Sequence, residues 1–357
     1  MKSLRIFGPN DARVVTDAPI PSLKKPTDVL VKVIAVALNP TDWKHIRFGA
    51  APATVGCDFS GIVMEVGSGV TEHKKGDRIF GSVHGSNHLW PENGAFAEYL
   101  VANIVMKIPK GKSFEEAATA GVALNTVGQG LYQEMELPWP ESKEAEAALK
   151  EGAEKGKILI WGGSSAMGAM GIQFAKLSGF EVITTASKSN FDYVKSLGAD
   201  AVFDSRSPTT GTEIRAYTND KLYYAWDTLG EHGAPQGCAE ALASSPPASH
   251  PFRYGTIMAF PGQAPPRQDV KYSMSLAYTA TGENIMTMGF QFPAIPSHYE
   301  FAVKWAKVAE KLYGEGKLQT HRLDVREGGI DKILEGLGDM REGKVSGKKI
   351  VYRVAEP

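Results

Sequence analysis

The sequence predicts two domains: a β-rich, mainly antiparallel domain, and an α/β domain with a doubly wound parallel sheet. Three observations carry this. Up to about Lys110 the chain is dense in β-type runs closed by Gly, Pro or Asn. From Lys157 onward, short apolar strands alternate with helical stretches, the pattern of βαβ units. The terminal GKKIVYRV is again a strand, placed to return to the first domain.

In chain order, the clearest early strands are VLVKVIAVALNP (29–40), FSGIVMEVG (59–67), DRIFGSV (77–83) and FAEYLVA (96–102). Each is rich in β-branched or aromatic residues, which suit a pleated, half-buried surface. FEEAATAGVALNTVGQGLYQEM then reads as helix, with Ser113 as N-cap and acidic residues in its first turn. A charged insert, WPESKEAEAALKEGAEKGK (139–157), reads as a solvated helix or loop. KILIWGG (157–163), EVITTAS (181–187), AVFDS and LYYAWDTLG (222–230) are strands; AMGAMGIQFAKLSG (166–179) and NFDYVKSLG (190–198) are helices between them. A Pro-rich stretch (244–267) surrounds a short strand, GTIMAF, and HYEFAVKWAKVAEKLYGEG (298–316) has helical periodicity.

Composition narrows the function classes. A chain of 357 residues, 43% apolar, is long enough for about two domains. Its net charge of −1 offers no general attraction to nucleic acid or an anionic membrane. Two cysteines, Cys57 and Cys238, make no disulfide framework. The first residues, MKSLRIFGPNDARVV, lack a signal-peptide core, and no apolar run approaches the roughly 20 residues of a membrane span. The expectation is a soluble intracellular protein.

The strongest local signal is ILIWGGSSAMGAMGIQFAKLSG, an apolar strand running through a Gly/Ser turn directly into a helix. Glycines let a backbone approach a pyrophosphate, and the helix start offers unpaired N–H groups. The strict G-x-G-x-x-G is absent and no Gly-Lys-Ser/Thr occurs. With the βαβ pattern on its C-terminal side, the turn reads as a Rossmann dinucleotide site, for which Gly163, Ser164, Ser165, Ala166 and Met167 are the candidates. A plain strand–turn–helix connection is the competing reading. The next strand selects the cofactor. An NAD site usually ends it with an acid that bonds the ribose hydroxyls. Here it ends Thr185-Ala186-Ser187-Lys188. A hydroxyl followed by a cation suits a 2′-phosphate, so NADPH is expected, held by Ser187, Lys188 and Asn190, with Arg206 a weaker second cation. Lys188 as an ordinary solvated loop residue is the alternative.

Metal ligands are hard to find. Of eight histidines only His84 and His88 lie close, in Gly/Pro-rich surroundings that read as a loop. Cys57-Asp58 could join them, but no CxxC pair exists for a structural zinc lobe. No metal site is expected.

Taken in order, VKVIAVALNPTDWKHIRFG, GCDFSGIVMEVGSGV, KKGDRIFG, NGAFAEYLV, IPKGKSFEEAATAGVALNT, GGSSAMG, LGADAVFD and GKLQTHRL…GKVSGKKIVYRV resemble the medium-chain dehydrogenase/reductase superfamily over nearly the whole chain. The resemblance implies a GroES-like catalytic domain (1–122 and 298–357) and a Rossmann NADPH-binding domain (123–297). Zinc alcohol dehydrogenases of that superfamily carry a cysteine where this chain has Pro40-Thr41, and Gly-His-Glu where it has Gly56-Cys57-Asp58. The chain therefore resembles the zinc-free quinone oxidoreductase and enoyl reductase branch. NPTDWKH, GCDFSG and FGSVHGSNHLWPENGAFAEY are most similar to fungal trans-acting enoyl reductases of polyketide synthases.

That resemblance implies metal-free reduction of an activated C=C bond by hydride transfer from NADPH to the β-carbon. The substrate would be an enoyl thioester, free or held by the acyl carrier protein of a polyketide synthase. It places NPTDWK at the cleft between the domains, with Lys44 as the cation for the enolate or thioester carbonyl; a surface lysine beside a turn is the rival reading. Asn39 and Pro40 would approach the cofactor; the rival reading is that Asn39 and Thr41 only shape the loop, since Asn-Pro is a turn signal itself. Asn125 and Thr126 fall at the start of the crossover helix, where relatives approach the nicotinamide; Thr126 would bond ribose or carboxamide, or be an ordinary helix residue. No tyrosine follows NPTDWKHIRFG closely, so a tyrosine acid is not evident and water could deliver the proton. YSMSLAYTATGENIMTMGFQFP (272–293) would line an acyl pocket or pack a core. Two other functions remain open: a stand-alone quinone or alkenal reductase, and an NADPH-binding redox sensor.

Overall fold

The computed structural model describes residues 1–49, 52–246, 251–258 and 264–357. They form two units, Met1–Asn125 with Ala277–Pro357, and Thr126–Leu276. The split places 277–297 with the β-rich unit, where the sequence assigned it to the cofactor domain. Tertiary hydrogen bonds explain the difference: Thr41 Oγ1 meets Tyr278 Oη at 2.7 Å, His45 Nε2 meets Thr287 Oγ1 at 2.7 Å, and Asn103 Nδ2 donates to Thr281 O at 2.9 Å.

The β-rich unit is built on a seven-stranded sheet. Its path runs Leu323–Arg326, Lys349–Arg353, Val29–Ala37, Asp58–Val66, Arg78–Ser82, Val105–Lys107, and Tyr99–Ala102 also pairs with Val29–Ala37. The terminal strand does return, pairing antiparallel with Val351 opposite Ala37. Val29, Val31 and Val33 are buried while Leu30 and Lys32 between them are partly exposed, the two-residue period of a strand with one face on a core. That core gathers Val31, Val33, Phe59, Val63, Phe96 and Leu100. A second sheet orders Asp11–Val15, Ser3–Gly8, Ala53–Thr54.

The second unit carries six strands, all paired in parallel. They lie in the order Ala201–Asp204, Glu181–Ala186, Lys157–Trp161, Tyr224–Asp227, Phe252–Thr256, Val270–Met274. Counted along the chain this is 3-2-1-4-5-6, the doubly wound order that opens a ligand crevice between the first and fourth strands. Ile158, Leu159 and Ile160 are fully buried, as expected when helices cover both sheet faces.

Two elements differ from expectation. The 114–135 helix is three pieces: Phe114–Ala118, Gly121–Val127, and a π-helical segment, Gly128–Glu134. Within that segment a Cβ at Gly130 would lie 2.6 Å from Trp226 Nε1, so only glycine lets the turn pack there. The short strand expected within 255–260 is observed as Phe252–Thr256; residues 247–250 and 259–263 of the Pro-rich stretch lie outside the described residues. The charged insert holds one short helix, Lys143–Ala148. No helix among the described residues is long and apolar enough to cross a membrane.

Candidate functional site

In the second unit, Lys157–Trp161 runs through Gly162 at φ +84° into the Ala166–Leu177 helix. The glycines are sterically required. A Cβ on Gly163 would lie 2.1 Å from Thr184 Oγ1, and one on Gly168 would lie 2.3 Å from Gly162 O. Ser165 caps the helix, its Oγ accepting the Gly168 N–H at 3.0 Å. The same Oγ lies 3.0 Å from Thr228 Oγ1, which donates to Trp161 O at 2.7 Å. The Thr228 hydrogen points at Trp161, so Ser165 donates to Thr228 and its hydroxyl is fully engaged. An anion at this turn would meet the backbone N–H groups of Ala166 and Met167, which a helix start leaves unpaired, and the half-buried Ser164 hydroxyl. The cradle fits the pyrophosphate of a dinucleotide.

At the tip of the next strand, Asn190 Nδ2 donates to Ser187 Oγ at 3.0 Å, and Ser187 Oγ meets Ser189 Oγ at 3.2 Å. Lys188 is beside them, its side chain 81% exposed and Nζ 3.8 Å from Asp204 Oδ2. Asp204 ends the neighbouring strand and accepts the backbone N–H of Arg206 at 3.1 Å; Arg206 is exposed. Ser187, Lys188 and Asn190 are thus brought together, with one carboxylate nearby. Hydroxyls, a carboxamide and a solvated cation suit a phosphate; at 3.8 Å and high exposure the Asp204 contact is weak enough to be displaced.

The first unit holds the other candidates. Asn39 precedes the Pro40–Phe48 helix, with its N–H on Asp42 Oδ2 at 2.7 Å. Its side chain lies inside the protein, donating to Asp58 Oδ2 at 2.8 Å and accepting from Lys349 Nζ at 3.0 Å. Lys349 and Asp58 form a buried ion pair at 2.5 Å, and Asp58 Oδ1 accepts the Val122 N–H at 2.6 Å. One knot therefore ties NPTD, GCD, the 119–122 segment and the C-terminal strand. It turns the Asn39 carboxamide inward, toward Asp58 and Lys349. Pro40 is exposed at the helix start. Lys44 is half-buried further along this helix, its Nζ 5.6 Å from the Trp43 ring centroid. Asn125 and Thr126 lie late in Gly121–Val127 rather than at its start; Asn125 Nδ2 donates to Ala277 O at 3.2 Å, and Thr126 is 5% exposed.

Beside Lys44's helix sits a cluster that the sequence reading missed. Tyr278, from the short Ala277–Thr281 helix, has its hydroxyl 2.7 Å from Thr41 Oγ1 and 3.7 Å from Cys57 Sγ. The His84 ring stacks on it, with centroids 4.2 Å apart, and His45 is 5.7 Å away. Burial holds the Tyr278 phenol well above the usual tyrosine range, with the neighbouring Cys57 thiolate form a further obstacle to ionisation. Burial likewise raises the Cys57 thiol and depresses His84, while His45 falls to about 4 through burial and the His88 charge. Asp42 is pushed up to about 7 by burial. The phenol, thiol and imidazoles of the cluster are therefore neutral near pH 7, with protons held on oxygen and sulfur. No local signal marks Tyr278, which lies 237 residues from Thr41.

His84 and His88 do lie in a loop, as expected. Among the described residues no three His, Cys, Asp or Glu side chains come together in a way that could hold a metal ion.

Two family models match: the alcohol dehydrogenase GroES-like domain over residues 25–110, and zinc-binding dehydrogenase over 166–245. Asp58 is paired with Lys349, and Cys57 faces Tyr278. The chain is similar to trans-enoyl reductase resD of Aspergillus sclerotiorum, 41% identical over 99% of this chain and 100% of that one. It is also similar to trans-enoyl reductase ACTTS2 of Alternaria alternata, 40% identical over 95% of each. Among solved structures, the CurK enoyl reductase superposes with a TM-score of 0.74 at 19% identity, covering 99% of each chain, a likeness of fold.

Proposed function

The chain belongs to the fungal trans-enoyl reductases of the medium-chain dehydrogenase/reductase superfamily, and on that premise we propose that it reduces the α,β-double bond of an enoyl thioester carried by an acyl carrier protein, with NADPH as reductant. The observation that carries this is full-length identity of 41% to a trans-enoyl reductase. The Gly162–Gly168 cradle and the acid-free Ser187-Lys188 tip support a nicotinamide dinucleotide bearing a 2′-phosphate.

NADPH, when bound, supplies the hydride that adds to the β-carbon. The chain's own residues stabilise the charge that this addition creates. As the C–H bond forms, the π pair shifts toward the carbonyl and negative charge grows on its oxygen, which preorganised donors must meet. Lys44, on the Pro40–Phe48 helix, presents the cation for that oxygen. Collapse of the enolate takes one proton at the α-carbon, delivered by water. The Asp58–Lys349–Asn39 knot holds the start of Lys44's helix and so its position.

The test is to follow nicotinamide absorbance with purified protein, crotonyl-CoA, and the same crotonyl group on a carrier protein. Consumption of NADPH in preference to NADH, with a saturated thioester product and higher kcat/KM for the carrier-bound form, is expected. Turnover of quinones or alkenals without enoyl reduction would overturn the reading.

A further inference from the structure

Within the enoyl-reduction reading, we infer that the Tyr278 hydroxyl is a catalytic hydrogen-bond donor to the substrate's thioester carbonyl oxygen. The argument begins with the hydroxyl's partners. Thr41 Oγ1, 2.7 Å away, carries one hydrogen and accepts others. If Thr41 donates to the phenol oxygen, the phenol hydrogen is left to point elsewhere. Cys57 Sγ at 3.7 Å is a weak acceptor, too poor to hold it. With that direction the phenol keeps a hydrogen for a further acceptor, beside the Cys57 thiol and the His84 and His45 rings.

The setting is rigid. The phenol ring stacks on His84 at 4.2 Å with an interplanar angle of 24°. His84 is 5% exposed with neither ring nitrogen bonded among the described residues, so it serves as a neutral plate. Thr41 lies in the first turn of its helix, between Asn39 and Asp42, whose hydrogen bond closes that turn. Preorganised dipoles in a poorly solvated site are worth far more than in water, because nothing reorganises when charge develops. Burial keeps the phenol a weak acid, which fits this role: the group stays protonated as an enolate oxygen forms beside it.

Position is the second line of argument. Thr41 and Lys44 are three residues apart on one helix, a spacing that puts side chains on one face. The group bonded to Thr41 therefore sits on the side of the helix that presents Lys44. The phenol lies between Thr41 of the NPTD motif and Cys57 of GCD, so it sits where those two segments meet. No bond to Tyr278 forms or breaks, and the α-carbon proton still arrives from water.

The experiment compares the full chain with Tyr278→Phe, which keeps the ring and its stacking. With NADPH and crotonyl-CoA, kcat should fall by about 100-fold, the loss typical for one oxyanion donor. The NADPH dissociation constant should be unchanged, and the melting temperature should fall by no more than about a few degrees, the loss of one hydrogen bond to Thr41. A kcat within threefold of wild type overturns the assignment. Should Tyr278→Phe fold poorly, a ring-fluorinated tyrosine at 278 keeps size and contacts while strengthening the donor. A severalfold change in kcat at constant KM then supports the role, and an unchanged kcat refutes it. Wild-type protein inert toward every enoyl thioester would sink the underlying reading instead, a result visible before any variant is made.

Discussion

Replacing Lys188 by Ala tests the cofactor reading where the structure gives a magnitude. Its side chain is 81% exposed, with one carboxylate 3.8 Å away. A hydrogen bond to a charged group nets roughly 1.5–3 kcal/mol, but exposure and salt screening cut such contacts toward about 1 kcal/mol. That is about fivefold in the KM for NADPH. Arg206, also exposed, should add a similar factor, so Lys188→Ala with Arg206→Ala should raise it roughly 25-fold. The KM for NADH, which has no 2′-phosphate, should stay within about twofold, and the NADPH effect should shrink with added salt. Ser187→Asp goes further: a carboxylate there repels a phosphate and accepts from ribose hydroxyls, so the NADPH/NADH ratio of kcat/KM should fall about 100-fold. Initial rates over a matrix of both cofactors give every number. Equal losses for NADPH and NADH in Lys188→Ala, or a wild type that prefers NADH, would refute the reasoning.

The same geometry carries three further outcomes. Lys44→Ala should lower turnover more than about tenfold with little change in NADPH affinity, because it removes charge stabilisation that matters most in the transition state; stopped-flow single turnovers read this directly. Lys349→Met strands Asp58, whose side chain is 0% exposed, and should cost about 3–5 kcal/mol, lowering the melting temperature on the order of 10 °C. Asp42 is raised to about 7 in the folded chain against roughly 3.9 unfolded, so the unfolded state releases its proton first. Its contribution therefore declines as pH rises from about 4 to 7 and is level outside that window. His45, depressed to about 4, acts oppositely between about 4 and 6.5. The Asp42→Asn minus wild-type difference in urea midpoint isolates Asp42, and should grow with pH across its window by an amount on the order of 4 kcal/mol in stability. A flat difference would show that Asp42 ionises normally in the native state.

Much of the fold was legible because the signals are local. ILIW and VIT are buried on both faces and read as parallel strands; Gly162-Gly163 and Gly168 announce the strand-to-helix turn, and the structure shows a steric reason for each. The return of GKKIVYRV to the β-rich unit was legible too, as a strand with no partner nearby in sequence. The break of the 114–135 helix was not. Gly121, Gly128 and Gly130 lower helix propensity there without fixing where the helix breaks, and the π-helical turn packs Gly130 against Trp226, about 100 residues away. Segment 277–297 escaped for a related reason. It lacks strong periodicity, and its placement rests on hydrogen bonds to Thr41, His45 and Asn103.

The same distinction separates the two halves of the candidate site. A dinucleotide turn is read from sequence because one strand, one turn and one helix supply all of it; only the division of labour between Ser164 and Ser165 needed Thr228 in view. The catalytic side has no such compactness. NPTDWK marks where a helix starts, yet Asn39 is turned inward by Asp58 and Lys349, partners 19 and 310 residues away. The motif has no tyrosine close behind it in the chain. The fold instead brings Tyr278 to Thr41 across 237 residues, between a histidine plate and a cysteine. What the fold adds lies in which side chains the sheet and the 277–297 segment crowd together, and there a phenol that stays protonated is a coherent partner for a forming enolate.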